Sequence, residues 1–127
     1  WHGLPGKLID AVRAKRVELY TSAPLLAELQ GILTREKFAK QLKARSLSGE
    51  RVLEGYAAIT SIVMPAVISP TVRRDPADDL VLATGLAAGA DAIVSGDARL
   101  LNLKAFHRIP IISAAEAVSR IAQSSRR

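Results

Sequence analysis

The chain contains no cysteine, so neither a disulfide framework nor a thiolate metal site is open to it. Aromatic residues make up only 4% of its 127 residues. Ala, Leu, Ile and Val supply most of the apolar mass, which suits helices packed on a buried parallel sheet. No apolar run is long enough to cross a membrane. The opening Trp1-His2-Gly3-Leu4-Pro5 lacks the basic start and apolar stretch of a secretory signal, so a cytoplasmic location is expected. His2 and His107 are too isolated to form a zinc set. Gly85, Gly89 and Gly96 each stand alone, and without a glycine-rich phosphate loop a small-molecule phosphoryl transferase is a poor fit.

Basic residues are plentiful. The net charge is +6 and the sequence pI is near 10.2. Arg35, Lys37, Lys40, Lys43, Arg45 and Arg51 fall in one polar stretch, and Arg126-Arg127 end the chain. Such a face attracts phosphate backbones without reading sequence; the plainer alternative is a solvated helix surface. The length indicates a single domain spanning residues 1–127.

Helical spacing of apolar residues predicts a helix from Leu4 to Lys15, followed by a short strand at Val17 to Tyr20. Ser22 is placed to cap the next helix, with the stripe Leu25, Leu26, Leu29, Ile32 and Leu33. Further helices are expected over Glu36 to Ala44 and Glu50 to Thr60, and a strand over Ile62 to Ile68, interrupted by Pro65. Asp75-Pro76 opens a helix that is apolar almost all round and that Gly89 stops. A strand at Ala92 to Ser95, a helical turn from Arg99 to Leu103 and a strand at Ile109 to Ile112 follow. The capping box Ser113-Ala114-Ala115-Glu116 then starts a last helix. Alternating strands and helices imply an α/β fold with a mostly parallel sheet covered on both faces. Ligands of such sheets sit beyond the carboxyl ends of the strands.

Three acidic groups fall at that edge. Asp97 follows the strand Ala92 to Ser95, Asp78 and Asp79 lie in the first turn of a helix, and Glu28 lies in the second turn of another. Each has a plainer explanation. Glu28 can reach water at the margin of its apolar stripe. Asp75 and Asp78 suit a helix N-terminus, and Asp97 suits a turn or a cap. Asp79 shares a face with Leu82, Ala83 and Leu86, where an acid needs a cation or hydrogen-bond donors. Crowded carboxylates repel one another unless a cation neutralises them, and an all-oxygen set suits Mg²⁺ or Mn²⁺.

The run Arg74 to Thr84 with its Asp-Pro-Ala-Asp-Asp core, and the run Ala88 to Leu101 with Gly-Ala-Asp and Ser-Gly-Asp, resemble the PIN-domain family. The resemblance is strongest to its branch of toxins from toxin–antitoxin pairs, related to VapC-like ribonucleases. Ser22 to Leu29 resembles the segment carrying that family's helical glutamate, and Ile109 to Glu116 its closing strand and helix. The resemblance implies a three-layer α/β/α fold and a metal-dependent endoribonuclease that hydrolyses single-stranded RNA. By motif, Glu28, Asp79 and Asp97 match three of four acids that bind Mg²⁺ or Mn²⁺. Ser95 matches a supporting hydroxyl, and Asp78 is an accessory. Arg73, Arg74 and Arg99 stand close enough in sequence to hold the RNA backbone, or simply to meet solvent. An antitoxin protein and a second copy of the chain are the other partners implied. The fourth acid of the family lies on an N-terminal strand that this sequence lacks before Trp1. Unseen upstream residues, a strand from a second copy, or an inactive domain are the three explanations, and the first is preferred. A non-catalytic RNA- or protein-binding module is the alternative function.

Overall fold

The computed structural model describes residues 4–46, 48–72 and 75–124. The helix α1 (Leu4–Arg13) leads to β1 (Leu19–Thr21), then α2 (Ala23–Leu33), α3 (Glu36–Ala44), α4 (Gly49–Ile59) and β2 (Thr60–Ile62). Next in chain order come α5 (Pro76–Ala88), β3 (Ile93–Val94), α6 (Ala98–Leu101), β4 (Ala105–Phe106), β5 (Ile109–Ile112) and α7 (Ala114–Ser124). The fold is α/β. β1 pairs with β2 in parallel, and β3 pairs with β5 in parallel; β4 adds to β5 antiparallel. The described strands therefore form two separate sheets.

The second strand differs from expectation. Pairing stops at Ile62, and residues 63–70 carry no strand assignment. They stay anchored by isolated bonds, Val63 N–H to the Thr21 carbonyl at 2.9 Å and Ala66 N–H to the Ala83 carbonyl at 3.1 Å. Pro65 has no N–H to give to a ladder, so a continuous strand through it is disfavoured. Met64 and Val67 consequently face solvent, 86% and 101% exposed. The sequence reading also omits β4.

The termini of α5 follow from three residues. Asp75 Oδ1 accepts the Asp78 N–H at 3.1 Å as N-cap, Pro76 fills the first turn where its missing N–H costs nothing, and Gly89 ends the helix at φ 58°. In keeping with the all-round apolar pattern, the middle of α5 is enclosed: the consecutive residues Leu82, Ala83, Thr84 and Gly85 point to all sides of the helix and are buried, as is Asp78 nearer its start, while Pro76 and Ala87 near the ends are exposed. Leu82 is fully buried with Val72, Ile93, Leu100, Ile109 and Ile111 in the core, and a side chain so placed contributes roughly 1.5–3 kcal/mol. Gly85 lets β3 pass close, since a Cβ there would meet Ile93 Cγ1 and Cδ1 at 2.8 Å.

Elsewhere, α1 packs on α7, and α2 packs on α4 and α5. Ser22 occupies the N-cap position of α2 but makes no side-chain cap; its hydroxyl instead meets Thr84 Oγ1 at 2.9 Å, both residues buried. Thr84 gives its only hydroxyl proton to the Leu80 carbonyl at 2.7 Å, so Ser22 is the donor in that pair. Half of the capping box at α7 forms: Ser113 Oγ accepts the Glu116 N–H at 3.2 Å, while the Glu116 carboxylate pairs with Arg120. No helix among the described residues is long and apolar enough to cross a membrane.

Candidate metal centre

The short connection through Gly89 makes α5 and β3 run in opposite directions, so the start of α5 and the end of β3 meet at one edge. There the carboxylates of Asp75, Asp78 and Asp97 converge, each offering an oxygen within 4.8 Å of the others. Asp97 is held by its neighbours. Its backbone N–H donates to Ser95 Oγ at 3.0 Å, and its Oδ1 accepts the Arg99 N–H at 2.8 Å as cap of α6. Ser95 is fixed in turn, its N–H donating to the Ile112 carbonyl of β5 at 3.0 Å.

Arg99 reaches all three acids. Its Nη2 lies 2.6 Å from Asp75 Oδ2 and 3.4 Å from Asp97 Oδ2, and its Nε lies 3.7 Å from Asp78 Oδ2. That last oxygen is buried and has no hydrogen-bond partner. Three carboxylates facing one guanidinium leave two negative charges uncompensated when all are ionised.

The protonation pattern follows from this crowding. Burial pushes Asp78 up from 3.8 to about 6, helped by the close approach of the Asp97 carboxyl and by the negative charges of Asp75 and Asp97; Arg99 opposes the rise. Asp97 moves the other way, held below 3.8 first by the Arg99 backbone N–H and then by the Asp78 carboxyl. Asp78 is therefore the acid of the three that gives up its proton last as pH rises. An oxygen-only donor set with an orphaned buried oxygen fits a hard divalent cation such as Mg²⁺ or Mn²⁺.

The structure distributes the sequence-derived candidates unevenly. Asp97 and Ser95 lie in the centre, and Asp78, read as an accessory, sits at its buried core. Asp75, read only as a cap, contributes a second oxygen. Asp79 points elsewhere: its Oδ1 accepts the Val72 N–H at 2.8 Å, and both its oxygens accept from Thr71 N–H at 3.2 and 3.3 Å. Glu28 is exposed on α2 and is not a member of the three-acid group. Arg99 joins the acids directly. Arg73 and Arg74 lie outside the described residues.

A family model described as PIN domain matches residues 2–99. No curated protein and no solved structure matches the chain.

Proposed function

The chain belongs to the PIN-domain family, whose members are generally nucleases with a three-layer α/β/α fold, and on that premise we propose a divalent-metal-dependent endoribonuclease acting on single-stranded RNA. The observation that carries the metal centre is the buried Asp78 Oδ2, which has no hydrogen bond and only Arg99 Nε at 3.7 Å to set against the surplus negative charge of Asp75, Asp78 and Asp97. These three residues would hold Mg²⁺ or Mn²⁺ together with water. When bound, the cation supplies a polarised water for attack at phosphorus and offsets the charge that develops on the phosphodiester. The protein's part is positional. The Asp75 cap and the Ser95–Asp97 turn fix their carboxylates at the mouth, while Asp78 would offer the innermost oxygen to the cation. Arg99 stands beside the acids on the solvent side, where it can meet an RNA phosphate. The resemblance of residues 74–101 to toxins of toxin–antitoxin pairs supports the further reading that the chain is the toxin of such a pair, with an antitoxin protein as partner.

Cleavage of an unstructured RNA in Mn²⁺ against EDTA tests this, using wild type, D78N, D97N, D79N and E28Q. D78N and D97N are expected to lose about a hundredfold or more, in line with removal of a transition-state charge stabiliser. Wild-type rates in both would dismiss the centre. Losses in D79N and E28Q without loss in D78N would shift the site to the motif-derived set Glu28, Asp79 and Asp97.

A second reading is a module that binds RNA or protein without cutting it. Its support is that Arg99 already touches every acid of the centre. RNA affinity with no metal-dependent product would favour it.

A further inference from the structure

This inference rests on the metal-centre reading and concerns the guanidinium of Arg99. The fork satisfies Asp75 Oδ2 at 2.6 Å and reaches Asp97 Oδ2 at 3.4 Å, yet leaves Asp78 Oδ2 without a hydrogen bond. A planar fork pairs well with two carboxylate oxygens at once; a third, arriving from another direction, is poorly served. The side chain is 56% exposed, so no packing locks it over the acids. The backbone of the same residue does separate work: its N–H holds Asp97 Oδ1 at 2.8 Å whatever the side chain does.

We propose that the Arg99 side chain is a resident counter-ion that a divalent cation displaces. A guanidinium has donors but no lone pair to offer a metal, so it cannot share the site as a ligand. It can only occupy carboxylate oxygens that the cation needs, while adding a like charge nearby. Because the backbone N–H keeps Asp97 in place, the side chain can swing out without dismantling the centre. Once out, it carries its charge to the rim, where a phosphodiester oxygen is the natural partner. The arrangement keeps the acids tolerable to one another in the empty protein and sets a threshold on cation binding.

Calorimetric titration of Mn²⁺ into the full chain without RNA tests the competition. R99Q is expected to bind several-fold more tightly than wild type, R99K to fall between them, and D78N to bind poorly. Equal or weaker binding by R99Q overturns the displacement, and if D78N still loses binding the metal centre survives that result. No binding by any protein ends the metal reading and this inference together. A measurement on wild type guards against a misfolded variant. Added Mg²⁺ should move the Arg99 Nε–Hε resonance to the position of a solvated arginine, and a resonance that stays put while Mg²⁺ binds refutes the idea.

Discussion

Asp79 Oδ1 accepts the backbone N–H of Val72 at 2.8 Å, so the second of two adjacent acids faces the preceding loop while Asp78 faces Asp97. Successive residues on a helix point about 100° apart, and the pair cannot serve one pocket equally. D79A should therefore act on stability, costing about 1–3 kcal/mol for the backbone donors it abandons, with little change in Mn²⁺ affinity. Urea unfolding beside a metal titration checks this. A D79N protein that unfolds like wild type but no longer binds Mn²⁺ would restore the ligand role implied by the motif.

Acidity should affect the metal-free protein through Asp78. Its proton is held more tightly in the folded chain than in the unfolded one, with the pKa raised from 3.8 to about 6. The stability this group contributes is complete below the lower value, fades as pH rises between the two, and is gone above the upper. Asp97, held below 3.8, contributes in the opposite sense and loses its share only on stronger acidification. Melting in EDTA should show a fall in Tm through the window from pH 4 to 6 that D78N flattens. Mn²⁺ affinity in the wild type should climb through the same window, as ionised Asp78 becomes available. An unchanged slope in D78N removes Asp78 as the source.

Gly85→Ala should destabilise by about 1–3 kcal/mol, the usual range for an overpacked core. The added Cβ would land 2.8 Å from two atoms of Ile93, between α5 and β3. Thermal melting reads the effect directly, and a Tm equal to wild type would mean that β3 can yield without loss.

The buried pair Ser22 and Thr84 predicts an asymmetry. S22A removes a donor from a hydroxyl that keeps its bond to Leu80, and about 1 kcal/mol is expected. T84V strands the Ser22 hydroxyl, which is 0% exposed, and should cost more. Combining the two should recover part of the loss. Fully additive losses in the double variant would show that the two hydroxyls act independently.

How much of this was legible in sequence depended on which signal was local. The start and end of α5 were, because Asp75, Pro76 and Gly89 are each sufficient at their own position. So was the placement of Asp97 beyond a strand. The orientation of Asp78 against Asp79 was not, since both satisfy the same first-turn preference and only the path of residues 71 and 72 separates them. The dual use of Asp75 was also hidden: a capping side chain spends one oxygen and leaves the other free. The hairpin between β4 and β5 lacked its usual marker. His107 and Arg108 adopt φ of 48° and 68°, a turn normally announced by Asn or Gly. Sequence offers Arg99 as either an RNA contact or a solvated residue, whereas its ties to all three acids depend on the long-range approach of α5 to the turn after β3.

If Asp78 serves the proposed metal centre, the helix Pro76–Ala88 carries neighbouring acids that differ in what their loss would cost. On the proposed reading, a screen scoring only function in cells would give positions 78 and 79 the same phenotype, one through lost chemistry and the other through lower abundance. Quantifying cellular protein levels in parallel would sort the two, and the same precaution extends to Gly85 and Thr84 further along that helix.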